Sequence, residues 1–239
     1  MKVTGEFAYS SDMWMEDMLW GATLRSPHPH ARILGIDITE ALKVAGVQAV
    51  LTHEDVPGEK RYGLEYQDQP VLAFDKVRYK GEPVAVVAAD HPETARRAME
   101  RIRVDYDVLE PVSDSRRAAM DPDCPLVHEP HELPHHPEYN PRGNRLRYQP
   151  IRTGAFAGTA GAAGNAEEVL ERLRAEAAAV VTTEYEVGMQ DQAFLGPESG
   201  LAVPAEDGGV DLYVATQWLH VDQGQIAPAL GLDLSLIHI

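Results

Sequence analysis

The chain has 239 residues, 44% hydrophobic and 25% charged, which suits one or two globular domains. Its formal net charge of −17 repels nucleic acid, and no basic patch stands out against it. The single cysteine, Cys124, excludes an internal disulfide framework and a cysteine-held iron–sulfur cluster in this chain. No apolar run approaches the roughly 18 residues of a membrane span, and the first residues do not read as a signal peptide. A cytoplasmic protein, with neither nucleic acid nor membrane as partner, is the expectation.

Residues 31–38 read as a strand. Thr39 is placed to cap a short helix running to Ala45, with Gly46 ending it. Val47–Leu51 reads as a second strand. Residues 83–89, Pro-Val-Ala-Val-Val-Ala-Ala, form an apolar run of strand length, which predicts burial on both faces. Asp90 with Glu93 has the spacing of a capping box, and Pro92 suits a first helical turn. Ala95, Ala98, Met99 and Ile102 then recur at helical spacing. Val104, Tyr106 and Val108 alternate as in a half-buried strand. Strand–helix–strand therefore occurs twice in residues 31–109, which predicts a mixed α/β unit of about a hundred residues.

Beyond it the composition changes. Proline is dense between 122 and 150, and Gly and Ala dominate 154–164, which predicts an extended linker. Asn165 with Glu168 offers a second capping box, followed by the apolar helix face of Val169, Leu170 and Leu173. Val180–Val187 reads as a strand by β-branching and alternation. Gly208-Gly209 marks a hairpin turn between strands at 200–204 and 210–216.

Two stretches carry a resemblance. The first is Leu24-Arg-Ser-Pro-His-Pro-His-Ala-Arg-Ile33 with Tyr79-Lys-Gly-Glu-Pro-Val-Ala-Val-Val87, preceded by Lys2-Val-Thr-Gly-Glu6. The second runs from Tyr185 through Gln190, the pair Pro197-Glu198 and on to Thr216-Gln217. Together they resemble the xanthine dehydrogenase/aldehyde oxidase family, specifically the N-terminal part of its molybdenum-cofactor-binding large subunit. The resemblance implies an α+β (mixed α/β) chain: a hammerhead-type α/β domain over 1–112, a linker over 113–165 and the truncated start of a molybdopterin-binding domain over 166–234. Residues 235–239, Ser-Leu-Ile-His-Ile, do not continue the family pattern and read as a non-native tail.

By the same resemblance, the whole enzyme hydroxylates a carbon of a purine, another N-heterocycle or an aldehyde with oxygen from water. The cofactors it implies are molybdenum–molybdopterin in the intact subunit, with [2Fe–2S] and FAD on partner subunits or domains. The family's catalytic glutamate and Gly-rich pterin loop fall after Ile239, so no catalytic residue is assigned here. Gln190 is the one cofactor contact implied. A neutral amide can donate to an oxo ligand of molybdenum without adding charge or joining its coordination sphere. The bland alternative is a glutamine closing a turn after a strand. Gln192 and Gly196 depart from the family's usual histidine and acidic residue, which leaves the substrate side of the pocket open.

Other candidates read as structural. His128, His131, His135 and His136 lack a metal-site spacing and fit a solvated linker. His28 and His30 fit packing or surface roles, and Cys124 has no basic neighbour in sequence to activate it. A competing class is a non-catalytic binding or assembly module that keeps the hammerhead. A weaker one is a histidine-rich metal binder.

Overall fold

The computed structural model describes residues 3–64, 66–129, 143–145, 151, 163–191, 193 and 198–239. Its first part is built around two three-stranded antiparallel sheets. Strands β1 (Trp20–Arg25), β2 (Ala31–Asp37) and β3 (Val47–Leu51) come early, with helix α1 (Thr39–Leu42) between the last two. Short strands β4 (Arg61–Tyr62), β5 (Gln69–Pro70) and β6 (Lys76–Val77) follow, then β7 (Pro83–Ala89), helix α2 (Pro92–Met99) and β8 (Arg103–Val108). One sheet has the order β1-β7-β3 and the other β6-β2-β8, while β4 and β5 pair alone. Each strand–helix–strand unit therefore crosses from one sheet to the other: β2-α1-β3 in one direction and β7-α2-β8 back.

The apolar run at 83–89 takes the central position that its composition demands. Ala85, Val87 and Ala89 are buried under α2 with Ala95, Ala98 and Ile102. Val84 points the other way, into a second cluster with Ala31, Ala73 and Val77. Both faces are thus covered, although Val86 and Ala88 remain half-buried. Alanines on α2 let the helix approach the sheet closely. Burying a valine such as Val87 fully contributes about 1.5–3 kcal/mol.

Both caps in this part differ from the sequence expectation. The residue ahead of α2 is His91, whose Nδ1 accepts from the Glu93 N–H at 3.1 Å, so Asp90 is not the cap. Asp90 belongs to the sheet end, where its N–H donates to the Gly46 carbonyl. Thr39 is the first residue inside α1, with the carboxylate of Asp37 accepting its N–H at 2.9 Å, and α1 stops at Leu42.

A short helix, α3 (Ser115–Met120), lies inside the stretch expected to be linker. Asp114 caps it by accepting from the N–H groups of Arg116 and Arg117. Asn144 then ties the following turn together: its Oδ1 accepts from Val127 N–H and its Nδ2 donates to the Pro125 carbonyl. Helix α4 (Ala163–Glu176) begins before Asn165, which is therefore within the helix.

The last part consists of the hairpin β9 (Gly200–Pro204) and β10 (Val210–Val214), helix α5 (Leu219–Leu230) and a short parallel strand β11 (Ile237–His238) on β10. Gly208 turns the hairpin at φ +86°, a conformation that glycine adopts without cost. Within residues 235–239, Ile237 is 1% exposed and its carbonyl accepts from Gln223 Nε2, while Ser235 and His238 are exposed. The strand expected at 180–187 does not form among the described residues. Val181, Tyr185, Val187 and Met189 are exposed on a chain without regular structure.

Candidate active site

Gln190 stands at the end of that irregular run, exposed, between Met189 and Asp191. The chain turns immediately after it. Asp191 Oδ1 accepts from the Ala193 N–H at 2.9 Å, and Ala193 has φ +50°. This is the side-chain-closed turn that Asp favours. The turn is closed by Asp191, and among the described residues no hydrogen bond engages the Gln190 amide. One donor pair and one acceptor are thereby presented outward. Such a group suits a neutral contact to an oxidised cofactor. Gln192, Gly196 and Pro197 lie outside the described residues.

The Thr216-Gln217 pair organises the start of α5. The Thr216 hydroxyl accepts from the Trp218 N–H at 3.0 Å and is bonded to the Asp222 carboxylate. Gln217 itself is exposed. Alongside, a cleft of about 400 Å³ separates Tyr62 and Val71 from Val214, Ala215, Asp222, Gln225, Ile226 and Ala229. Serine side chains tie the hairpin to the N-terminal segment, Ser10 Oγ lying 2.8 Å from Ser199 Oγ.

Sequence reasoning missed Glu82. It is only 2% exposed and lines a second cleft of about 350 Å³ with Tyr62, Asp68, Arg78, Tyr79 and His128. Its Oε2 accepts from the Arg78 N–H at 2.5 Å. Burial pushes its carboxyl above the ordinary value, against the N–H bonds from Arg78 and Tyr79 that favour the carboxylate. Burial also raises the phenols of Tyr62 and Tyr79, and the nearby Glu82 adds to both. An acidic residue directly ahead of an apolar run was the available signal.

The histidine candidates occupy separate places. His128 borders the Glu82 cleft, whereas His131, His135 and His136 lie outside the described residues. His28 packs edge-on to Tyr106 at 5.0 Å, and His30 Nδ1 is 2.7 Å from the Glu110 carbonyl. Cys124 is buried, 3.6 Å from Asn144 Nδ2. Among the described residues, no group of three or more His, Cys, Asp or Glu could hold a metal ion. No described helix is long and apolar enough to cross a membrane.

Residues 4–110 match the α/β hammerhead domain of aldehyde oxidase and xanthine dehydrogenase, and residues 155–239 match the molybdopterin cofactor-binding domain. The chain belongs to the aldehyde oxidase and xanthine dehydrogenase family. Over its whole length it is 37% identical to a probable xanthine dehydrogenase subunit of Bacillus subtilis, of which it spans 28%. It is 31% identical to the nicotinate dehydrogenase large molybdopterin subunit of Eubacterium barkeri, spanning 50% of that protein. Among solved structures, the aldehyde oxidoreductase of Desulfovibrio gigas superposes with a TM-score of 0.79 at 28% identity. That superposition covers 98% of this chain and 24% of the other. The two sheets and α2 are thus the family's hammerhead, and the hairpin with α5 falls within its molybdopterin-binding domain.

Proposed function

We propose that this chain is the N-terminal part of a molybdenum hydroxylase large subunit. The intact protein would hydroxylate a carbon of an N-heterocycle, a purine or an aldehyde, taking oxygen from water. Its electrons would pass to [2Fe–2S] and FAD groups held by partner subunits or domains. The match of residues 155–239 to a molybdopterin-binding domain carries this reading. The substrate class draws support from relatives named for xanthine, nicotinate and aldehydes. A break between a hammerhead at 1–112 and a cofactor domain from 166 belongs to the same proposal. The match ending at 110 supports its first bound, and the match starting at 155 begins eleven residues ahead of the second.

Bound molybdenum–molybdopterin would supply the two-electron redox chemistry. This chain would supply orientation and polarity, from Gln190. Its side chain is exposed, and the adjacent turn is held by Asp191, so the amide is available to a ligand. Being neutral, it can donate one hydrogen bond toward the metal's surroundings without displacing a metal ligand or trapping a proton.

The test is Gln190→Ala in the intact subunit. Folding and molybdenum content are expected to stay near wild type, while turnover per bound molybdenum falls about 10–100-fold. Gln190→Glu is expected to be at least as harmful, since it can place negative charge beside an electron-rich group. Unchanged turnover per molybdenum in Gln190→Ala would remove the assignment.

A further inference from the structure

The C-terminal end of α5 is closed by residues from the hammerhead. The final carbonyls of a helix have no partner within it. Here the chain reverses at Gly231, with φ +66°, and the N–H of Leu232 returns to the Ala227 carbonyl at 3.0 Å. The Pro228 carbonyl accepts from Gly231 N–H at 3.1 Å and from a second donor outside the helix, and the Ala229 carbonyl is met from outside. Glu59 N–H donates to Pro228 O at 2.8 Å, and Gly58 N–H donates to Ala229 O at 3.1 Å.

The approach is so close that only glycine fits at 58. A Cβ there would lie 2.0 Å from Pro228 O and 2.7 Å from Gly231 N. Both are backbone atoms that cannot rotate away. Gly58 is not in the left-handed region, so the demand is for space and not for backbone conformation. At its other end α5 is anchored through Thr216 and Asp222 to the strand that leads into it. Fixing the end of α5 therefore fixes the hairpin as well. The Ser10–Ser199 hydrogen bond holds the residue just ahead of the hairpin to the N-terminal segment.

We propose that loop 57–59 is a latch that seats the cofactor-binding part on the hammerhead, with Gly58 a positioning residue for the cofactor site. This rests on the reading that the part carrying Gln190 faces the cofactor. Shifting α5 would displace the hairpin of that part without touching any group at the cofactor.

Three variants of the intact subunit test it: Gly58→Ala, Glu59→Pro and Gly21→Ala. Glu59→Pro removes one donor without adding a Cβ at 58. Gly21→Ala is the control, because a Cβ at Gly21 meets nothing within 4 Å. Hydrogen exchange, molybdenum content, turnover per molybdenum and the Mo(V) paramagnetic spectrum are measured on each. In Gly58→Ala, residues 58–59 and 227–232 are expected to lose protection while 83–99 keep theirs. Turnover per molybdenum is expected to fall about 10–100-fold, because small displacements of a reacting geometry cost that much, and the Mo(V) spectrum to change. Glu59→Pro should move the same readouts less, and Gly21→Ala none of them. Wild-type turnover and spectrum in Gly58→Ala would overturn the latch. If Gly58→Ala also loses protection over 83–99, Glu59→Pro decides, and wild-type behaviour there overturns it. Failure of the underlying reading looks different: the wild-type subunit itself would bind no molybdenum, and the exchange data alone would then decide whether the latch exists.

Discussion

Residues 83–89 and 180–189 both read as strands in the sequence, and the molecule treats them oppositely. The first lies at the centre of a sheet, with α2 on one face and Ala31, Ala73 and Val77 on the other. The second is irregular, and Val187 is 83% exposed. Its odd positions, Val181, Tyr185, Val187 and Met189, would form one apolar face if the segment were a strand. Strand pattern states a need for neighbours and does not supply them. β7 finds β1 and β3 on its two edges, by antiparallel pairing that joins Leu24 to Ala85 and Val50 to Val87. No such edge meets 180–189 among the described residues.

The strongest way to break this contrast is a charge at the buried site. Val87→Asp would place a carboxylate among Ala95, Ala98 and Ile102 with no cation to pair it. The expected loss is about 4 kcal/mol or more, most of the stability of an ordinary domain. Urea unfolding of the variant checks this, and a loss below about 1 kcal/mol would show that the hammerhead is not built on β7.

What could be read in advance follows the same division. β7, α2 and the β9–β10 hairpin were legible because their signals are local: a short apolar run, helical spacing of Ala95 and Ala98, and Gly208-Gly209. β1 was not legible as a strand. Trp-Gly-Ala-Thr-Leu-Arg has no alternation, and its place is set by β7, some sixty residues later. α5 was hidden by Gly224 and Pro228, which argue against a helix interior, and by a weak apolar face. α3 had a usable signal in Asp114, masked by the proline-rich stretch around it. The caps failed by one or two residues because Asp37 and His91 supplied the acceptors that Thr39 and Asp90 were expected to. At the candidate site, the flanking residues of Gln190 carried the family resemblance, and its proposed role rests on them. The closing of its turn by Asp191 was not legible, since either side chain could have made that bond.

A smaller effect would sharpen the account of the hammerhead's interior. Because burial raises the Glu82 carboxyl above its ordinary value of 4.5, the folded chain holds that proton at a pH where the unfolded chain has released it. Glu82's contribution to stability is therefore greatest below about pH 4.5, declines as pH rises toward the folded-state value, and is flat above it. Asp75 runs the other way. Its burial is outweighed by Arg78, its carboxyl is lowered, and its contribution is lost as pH falls. Comparing wild type with Glu82→Gln separates the two, because Gln keeps an acceptor oxygen for the Arg78 N–H but cannot titrate. The stability difference, wild type minus variant, is expected to fall as pH rises from 4.5. Stability–pH curves of identical shape would show that Glu82 is not desolvated.

The smallest expected effect concerns Val187, and its size is what makes it informative. In this chain the side chain touches mostly solvent, so Val187→Asp should change unfolding stability by no more than about 0.5 kcal/mol. The relatives extend well beyond this chain, which spans 28% and 50% of two of them. In the proposed intact subunit the stripe at 181, 185, 187 and 189 has further protein to pack against. If it is a strand face there, the same variant loses the burial of a valine, about 1.5–3 kcal/mol, and adds a desolvated charge. Unfolding of both forms, with and without the substitution, checks the argument. A large loss already in the 239-residue chain would mean that 180–189 is packed, and the contrast with β7 would disappear. Equally small losses in both forms would mean that alternation at 180–189 does not mark a buried strand in either. A small loss in one and a large loss in the other is the outcome that the pattern itself demands.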